Sequence, residues 1–344
     1  MVSPGLVVPA VTFLVALAVL LVASNAFVSA AERVGLAAGA SPFIIGATVV
    51  AGGTSLPELV ASTIAVRADA PEIVVGSVVG SNVANILLVL GAVAVVGRSF
   101  HVNRELMRVD LPLLMASAAF LVVTVLTGPF VWFEGLIGLV GLAAYVHFTL
   151  SEEQRLDEVV EEIVSEHAEG DTPVEATPGA VSADERTVEA AAASTTVGPK
   201  TYATLAVSVA VVFVSADQLV GSILSIAAIL DIGAELVAVT AVAIGTSLPE
   251  IAVSAAAVRR GSVEIAVGNV LGSNVFNTFA VMGVPSLIAP VAVPESVRRY
   301  ALPVMVLATL LYYFITQDRE LTVWEGVVLL VLYAAFLANL GTVR

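Results

Sequence analysis

The sequence predicts an all-α membrane protein: ten transmembrane helices in two inverted five-helix repeats, with helices broken near the bilayer centre. Three observations carry that prediction. The 344 residues are 58% hydrophobic and 12% charged, with a mean hydropathy of +1.01, which leaves too little polar surface to cover a soluble core. Apolar stretches of about twenty residues, enough to cross a hydrocarbon layer of ~30 Å, recur along almost the whole chain. Finally, the second half of the sequence repeats part of the first.

The ten stretches fall at residues 5–31, 42–67, 72–97, 109–127, 131–150, 201–230, 234–259, 263–289, 301–316 and 322–341. The first, followed by Val28-Ser29-Ala30, imitates a signal peptide. No Lys or Arg precedes it, however, and its apolar run is longer than a usual signal core. The repeat also requires it, so it counts as a span. Between the fifth and sixth spans, residues 151–199 hold 13 Asp or Glu against Arg155 and Arg186, a net −11 of the chain's −15. With Pro173, Pro178 and Gly179, this segment reads as a solvated, disordered connector whose opening, 152–166, is able to form an acidic helix. It separates a first repeat, 1–150, from a second, 200–344.

Several classes drop out. There is no cysteine, which excludes disulfides and thiolate metal centres. His101, His147 and His167 are too scattered to suggest an imidazole site. A single Lys beside thirteen Arg, with a pI near 4.5, points to acidic loops adapted to salt. With the N-terminus outside, Arg33, Arg98, Arg104, Arg108, Arg259, Arg260 and Arg319 lie on the inner side. Arg67, Arg298, Arg299 and Arg344 then lie outside. That bias places the acidic linker in the cytoplasm.

Residues 44–91 align with 236–283 without gaps at an offset of 192, with 25 of 48 positions identical. Gly53-Thr54-Ser55-Leu56-Pro57-Glu58 recurs as Gly245-Thr246-Ser247-Leu248-Pro249-Glu250. Gly80-Ser81-Asn82-Val83 and Asn85 recur as Gly272-Ser273-Asn274-Val275 and Asn277. More weakly, Asn25 matches Asp217, and Phe133-Glu134-Gly135 resembles Trp324-Glu325-Gly326. Five spans per half means that the second half enters the membrane from the opposite face, an architecture that places binding sites at the repeat interface near the midplane.

The chemistry of the repeated motif follows from its residues. Pro57 has no N–H for the carbonyl four residues back, and Gly52 and Gly53 weaken the same turn. The helix should break there and free carbonyls around Ala51 to Thr54, with Pro249 and Gly245 doing the same around Ala243 to Thr246. Such groups survive at membrane depth only inside protein or beside water. A carboxylate at the bilayer centre costs at least ~2.5–3.5 kcal/mol. Glu58 and Glu250, at equivalent positions of an inverted repeat, should therefore face each other and be neutralised by a divalent cation. Carboxylate, carbonyl, hydroxyl and amide oxygens suit a hard ion such as Ca²⁺, and Na⁺ uses the same set. Ser81 and Asn85, and likewise Ser273 and Asn277, sit at i and i+4 on one helix face. The G-x-x-x-G pairs Gly76/Gly80 and Gly268/Gly272 read as packing contacts. Asn25 and Asp217 read as structural hydrogen-bond formers, and Glu134 and Glu325 as helix-start residues on the positive end of the dipole.

With these motifs in view, the chain resembles the calcium/cation antiporter superfamily, in its prokaryotic sodium/calcium exchanger branch. The two GTSLPE elements, each followed by G-S-N-x-x-N, look like that family's alpha-repeats. The resemblance implies a multi-pass plasma-membrane antiporter exchanging Ca²⁺ for Na⁺ by alternating access. It would be a monomer with no cofactor, no enzymatic activity and no nucleic-acid partner. It also implies that Glu58, Glu250, Thr54, Thr246, Ser55 and Ser247, with the carbonyls of Ala51 and Ala243, hold calcium. The sodium-coupling positions fall on Ser81, Asn85, Ser273 and Asn277. Potassium-dependent members have an aspartate where this chain has Asn277, which argues against potassium coupling, while proton coupling stays open. Two rivals fit less well. A calcium channel usually repeats subunits around its pore, and an intramembrane peptidase usually pairs two Asp.

Overall fold

The computed structural model describes residues 4–37, 51–97, 100–101, 104–148, 197–259, 263–316 and 320–340. The acidic linker lies outside the described residues. Among them, five helices are long and apolar enough to cross a membrane: Gly5–Gly35, Glu72–Gly97, Pro199–Leu230, Ala234–Ala255 and Val323–Leu340. Shorter apolar helices run over Leu111–Leu126 and Trp132–Phe148. The chain is therefore a helical membrane protein, with two two-residue strands among the described residues, and each of the ten predicted stretches contains helix.

In chain order the first half provides α1 (Pro4–Ala37), α2 (Ala51–Thr54), α3 (Leu56–Arg67), α4 (Glu72–Gly97), α5 (Arg104–Thr127) and α6 (Trp132–Phe148). The second provides α7 (Pro199–Leu230), α8 (234–246), α9 (Leu248–Arg259), α10 (263–286), α11 (297–315) and α12 (Val323–Leu340). α1 packs along α7. Leu17, Leu20, Val60, Ile73, Leu219 and Ile223 join in one apolar cluster that ties this pair to α3 and to the start of α4. A second, larger cluster holds α4, α5, α10, α11 and α12 together.

Contacts between the halves come in pairs related by the sequence offset. α3 packs on the end of α10, and α9 on the end of α4; α2 meets α10, and the last turn of α8 meets α4. The glycines behave the same way. A Cβ on Gly91 would lie 3.0 Å from the Gly326 carbonyl oxygen, and one on Gly326 only 2.8 Å from that of Gly91. Gly283 and Gly135 repeat this at 3.1 and 2.7 Å. Backbones touch at all four positions, so any larger residue would push two helices apart. Short strands follow suit: β1 (Phe100–His101) pairs antiparallel with β2 (Glu320–Leu321), and Phe130 exchanges N–H···O bonds of 2.9 and 2.8 Å with Val291.

The helix-start reading of Glu134 and Glu325 agrees with the contacts. Glu134 accepts the Val131 N–H at 2.8 Å, and Glu325 accepts the Thr322 N–H at 2.7 Å. The Thr322 hydroxyl in turn accepts the Glu325 N–H at 3.3 Å, the reciprocal pair that closes a helix N-terminus. The tight-packing reading of Gly76 and Gly80 also agrees. A Cβ on either would come within 2.7 Å of a backbone carbonyl of α8, that of Glu235 or Val239.

Two expectations are corrected. Asn25 and Asp217 are exposed on α1 and α7, with no hydrogen bond among the described residues. Asp217 lines a hollow between those helices. Second, the turn at the repeated proline opens less than expected, because the Ser247 N–H still bonds the Ala243 carbonyl at 3.1 Å.

Candidate cation site

The helix is interrupted at one residue in each half, Ser55 and Ser247. Their backbones are nearly the same, φ −90°, ψ 6° and φ −81°, ψ 0°, in the sparsely occupied bridge region where helical turns are cut. Pro57 and Pro249 follow two residues later, where a missing N–H is tolerated at the start of a new helix. Each carboxylate therefore stands in the first turn of the helix beyond the break, Glu58 in α3 and Glu250 in α9. There the partial positive charge of the helix N-terminus favours an anion.

Both carboxyl groups are buried, at 0% and 1% exposure, and no protein donor reaches their four oxygens in good hydrogen-bond geometry. The side chains that act on them come from the opposite half: Thr246 on Glu58, and Thr54 and Glu58 itself on Glu250. The two acids thus lie near enough across the repeat interface for their charges to influence each other. The Thr54 and Ser273 hydroxyls approach to 3.4 Å, while Thr246 donates to the Val242 carbonyl at 3.0 Å. The hydroxyls of Ser55, Ser247 and Ser81 are buried without partners. Ala243 is buried beside Thr246; its carbonyl, although bonded to Ser247, keeps a second lone pair. Ala51 opens α2, and its backbone is helical.

Beneath the carboxylates, four asparagines knit α4 to α10. Asn85 donates its amide to the Asn274 side-chain carbonyl at 3.2 Å, and Asn277 donates to that of Asn82 at 3.3 Å. Asn82 also donates to the Thr278 hydroxyl at 3.1 Å. Because 82 and 274, like 85 and 277, differ by 192, the two bonds are reciprocal. They leave the side-chain oxygens of Asn85 and Asn277 buried and without partners. Asn85 and Asn277 also lie where α4 and α10 loosen into π-helical turns, Ala84–Val89 and Asn277–Val281, features that often mark functional positions.

Of the sequence-derived residues, Thr54 and Ser273 meet directly across the halves, and Asn85 and Asn277 cross them through Asn274 and Asn82. The sequence reading left out Asn82 and Asn274 as working residues, although both sit inside the repeated G-S-N-x-x-N. The repetition itself was the available signal. Orphaned acceptors are rare in a folded interior, and here two carboxylates, two amide oxygens and three hydroxyls are orphaned together. Acceptor oxygens of this kind, without N or S donors, match a hard cation such as Ca²⁺ or Na⁺.

Fold and site define a multi-pass membrane protein with an oxygen-rich centre between its halves. The chain belongs to the sodium/calcium exchanger protein family, whose model matches residues 8–151 and 200–341. It is 31% identical over 342 residues to the sodium/calcium exchanger MaX1 of Methanosarcina acetivorans, covering 95% of this chain and 97% of that one. It is 30% identical over 327 residues to the inner membrane protein YrbG of Escherichia coli, covering 91% and 92%. Among solved structures it is similar to the sodium-calcium exchanger NCX_Mj soaked with Na⁺ and Sr²⁺, at a TM-score of 0.62 and 28% identity, covering 98% and 100%. The family is one of cation antiporters, and its named exchangers are transporters rather than enzymes.

Proposed function

We propose that this chain is a secondary active antiporter that exchanges Ca²⁺ for Na⁺ by alternating access. The observation that carries the reading is the pair Glu58 and Glu250, buried at equivalent positions of the two halves, with oxygens that no protein donor reaches in good geometry and charges that act on each other. Taking both charges into a dry interior is costly unless a cation compensates them. Ca²⁺ or several Na⁺ neutralise the pair, and only the filled site crosses readily between states. The empty dianion resists exposure to the other side, so the chain exchanges ions and does not leak.

In this reading the architecture is ten spans in two inverted repeats, 1–150 and 200–344, joined by a cytoplasmic linker, 151–199, in a monomer. Glu58, Glu250, Thr54, Thr246, Ser55 and Ser247 with the Ala51 and Ala243 carbonyls hold Ca²⁺. Ser81, Asn85, Ser273 and Asn277 add the oxygens that Na⁺ uses. α1 lacks the motif yet touches both breaks, since a Cβ on Gly53 would overlap Val28 and one on Gly245 would overlap Leu17, and α7 packs along α1 and against α3. They are the elements free to shift while the amide-linked centre stays fixed.

The test is reconstitution in proteoliposomes with Na⁺, H⁺ and K⁺ gradients imposed one at a time. Ca²⁺ uptake driven by internal Na⁺ alone supports the proposal. Uptake that follows the H⁺ gradient and ignores Na⁺ favours the proton-coupled alternative. Ca²⁺ flux without any trans cation indicates a channel.

A further inference from the structure

The α1–α7 seam has two unlike ends. At one, Val19, Val22 and Ala26 of α1 and Ala203, Val207 and Val211 of α7 line an apolar groove of about 650 Å³ open to the membrane. At the other, Val8 and Thr12 of α1 and Asp217, Gln218, Ser222 and Ser225 of α7 line a polar hollow of about 340 Å³. The rising numbers on α1 meet falling numbers on α7, so the two helices run antiparallel.

Residues 18 to 26 span about 12 Å of helix axis, close to half of a ~30 Å hydrocarbon layer and so to one leaflet. Beyond the apolar groove the same helix stripes continue to cations. Arg33 follows Ala26 by two turns, and Lys200 precedes Thr204 by one. Both are exposed, and neither is paired with a carboxylate among the described residues. Arg33 folds back toward the groove, its Nε donating to the Ser29 carbonyl at 3.0 Å. Ala26 and Ala203 both line the groove, and three residues further along each antiparallel helix, about 4.5 Å, come Ser29 and Lys200. Both cationic side chains therefore stand beyond the linker-side end of the groove.

We infer that this end of the seam is a binding site for an anionic phospholipid from the leaflet on the linker side, with an acyl chain in the groove and the phosphate between Arg33 and Lys200. Juxtamembrane cations attract anionic headgroups at this depth, and long basic side chains reach the interface from within it. The opposite end supplies an internal control. The 192-residue offset relates Lys200 to Val8 and Arg33 to Ser225, so that end lacks both cations and instead exposes the Asp217 carboxylate. One leaflet offers a phosphate site and the other repels it. The lipid lies between the two helices that the functional reading assigns to movement, so it would bias their relative position. Its binding nevertheless holds or fails whatever ions the chain exchanges.

The experiment is native mass spectrometry of the full chain with dioleoylphosphatidylglycerol or dioleoylphosphatidylcholine added at equal concentration. Wild type should retain the anionic lipid preferentially. Arg33→Gln and Lys200→Gln should each lower that preference about fivefold, from roughly 1 kcal/mol per cation near the surface. Arg33→Lys should keep it. Ala26→Phe, which fills the groove and leaves the cations, should reduce retention of both lipids. Equal retention of the two lipids by wild type overturns the site, as does a preference that survives both Gln substitutions or Ala26→Phe binding like wild type.

Discussion

Thr54 meets Ser273 across the repeat interface at 3.4 Å, whereas the Ser81 hydroxyl, equivalent to Ser273, is unpartnered. One turn further on, Asn269 donates to Ser254 at 3.1 Å, while the corresponding Ser77 and Ser62 hydroxyls are buried and unbonded. The carboxylates and the two reciprocal asparagine bonds match between the halves, although the Asn82 amide also bonds Thr278 while that of Asn274 has no partner. Sequence-equivalent residues thus fall into two groups. Those at the centre are more alike in environment than those flanking it. An inverted repeat in any single state must be asymmetric, because one half's flank leads toward one side of the membrane and the other's toward the opposite side. The centre holds charge, and the flanks register state.

The largest expected effect treats the halves alike. Glu58→Gln or Glu250→Gln should each lower sodium-driven ⁴⁵Ca²⁺ uptake into vesicles by about 100-fold or more, since losing one of two buried charges removes at least ~3 kcal/mol of ion compensation. Retained uptake in either variant would falsify the paired-acid site. Next, Asn82→Ala and Asn274→Ala should each raise the apparent KM for Ca²⁺ about tenfold with a smaller change in maximal rate. Each removes one amide contact that aims a neighbouring oxygen, worth ~1.4 kcal/mol. Equal losses in the two variants sharpen the symmetry of the centre, and a loss confined to one breaks it.

The serines should behave unequally. Ser273→Ala removes the partner of Thr54, while Ser81→Ala removes a hydroxyl with no protein bond to lose. Both should weaken Na⁺ activation by a few fold, about 0.5–1.5 kcal/mol per hydrogen bond, but only Ser273→Ala should also lower the thermal midpoint of ion-free protein. Identical melting shifts would show that the flanks are symmetric after all. The smallest effect is none: with Asn277 in place of an acid, replacing external K⁺ by choline should leave the exchange rate unchanged. A requirement for K⁺ in ⁴⁵Ca²⁺ flux would remove Asn277 as the reason for potassium independence.

Much of this was legible in the sequence because its causes are local. Hydropathy reports desolvation residue by residue, and Pro57 and Pro249 lack the same N–H in any fold. The repeat then brought Glu58 and Glu250 together by symmetry alone. What escaped is what depends on a distant partner. Asn82 works through Asn277 and Thr278, Gly91 through Gly326, and Gly53 through Val28, and no window of neighbouring residues contains both members of such a pair. The π turns at Asn85 and Asn277 also escaped, since a widened turn has no distinct composition. Asp217 was misread for a related reason. A lone acid in an apolar run suggests a buried bond, but helix phase turned it outward.

The reciprocal asparagines bear on how such a chain could be assembled. Each half supplies the acceptor that the other half's amide needs, so either half alone would strand two amides and a carboxylate in hydrocarbon. A polypeptide cut between Glu152 and Thr196 and made as two separate fragments should therefore recombine into a working carrier, because the covalent join contributes nothing to that exchange of bonds.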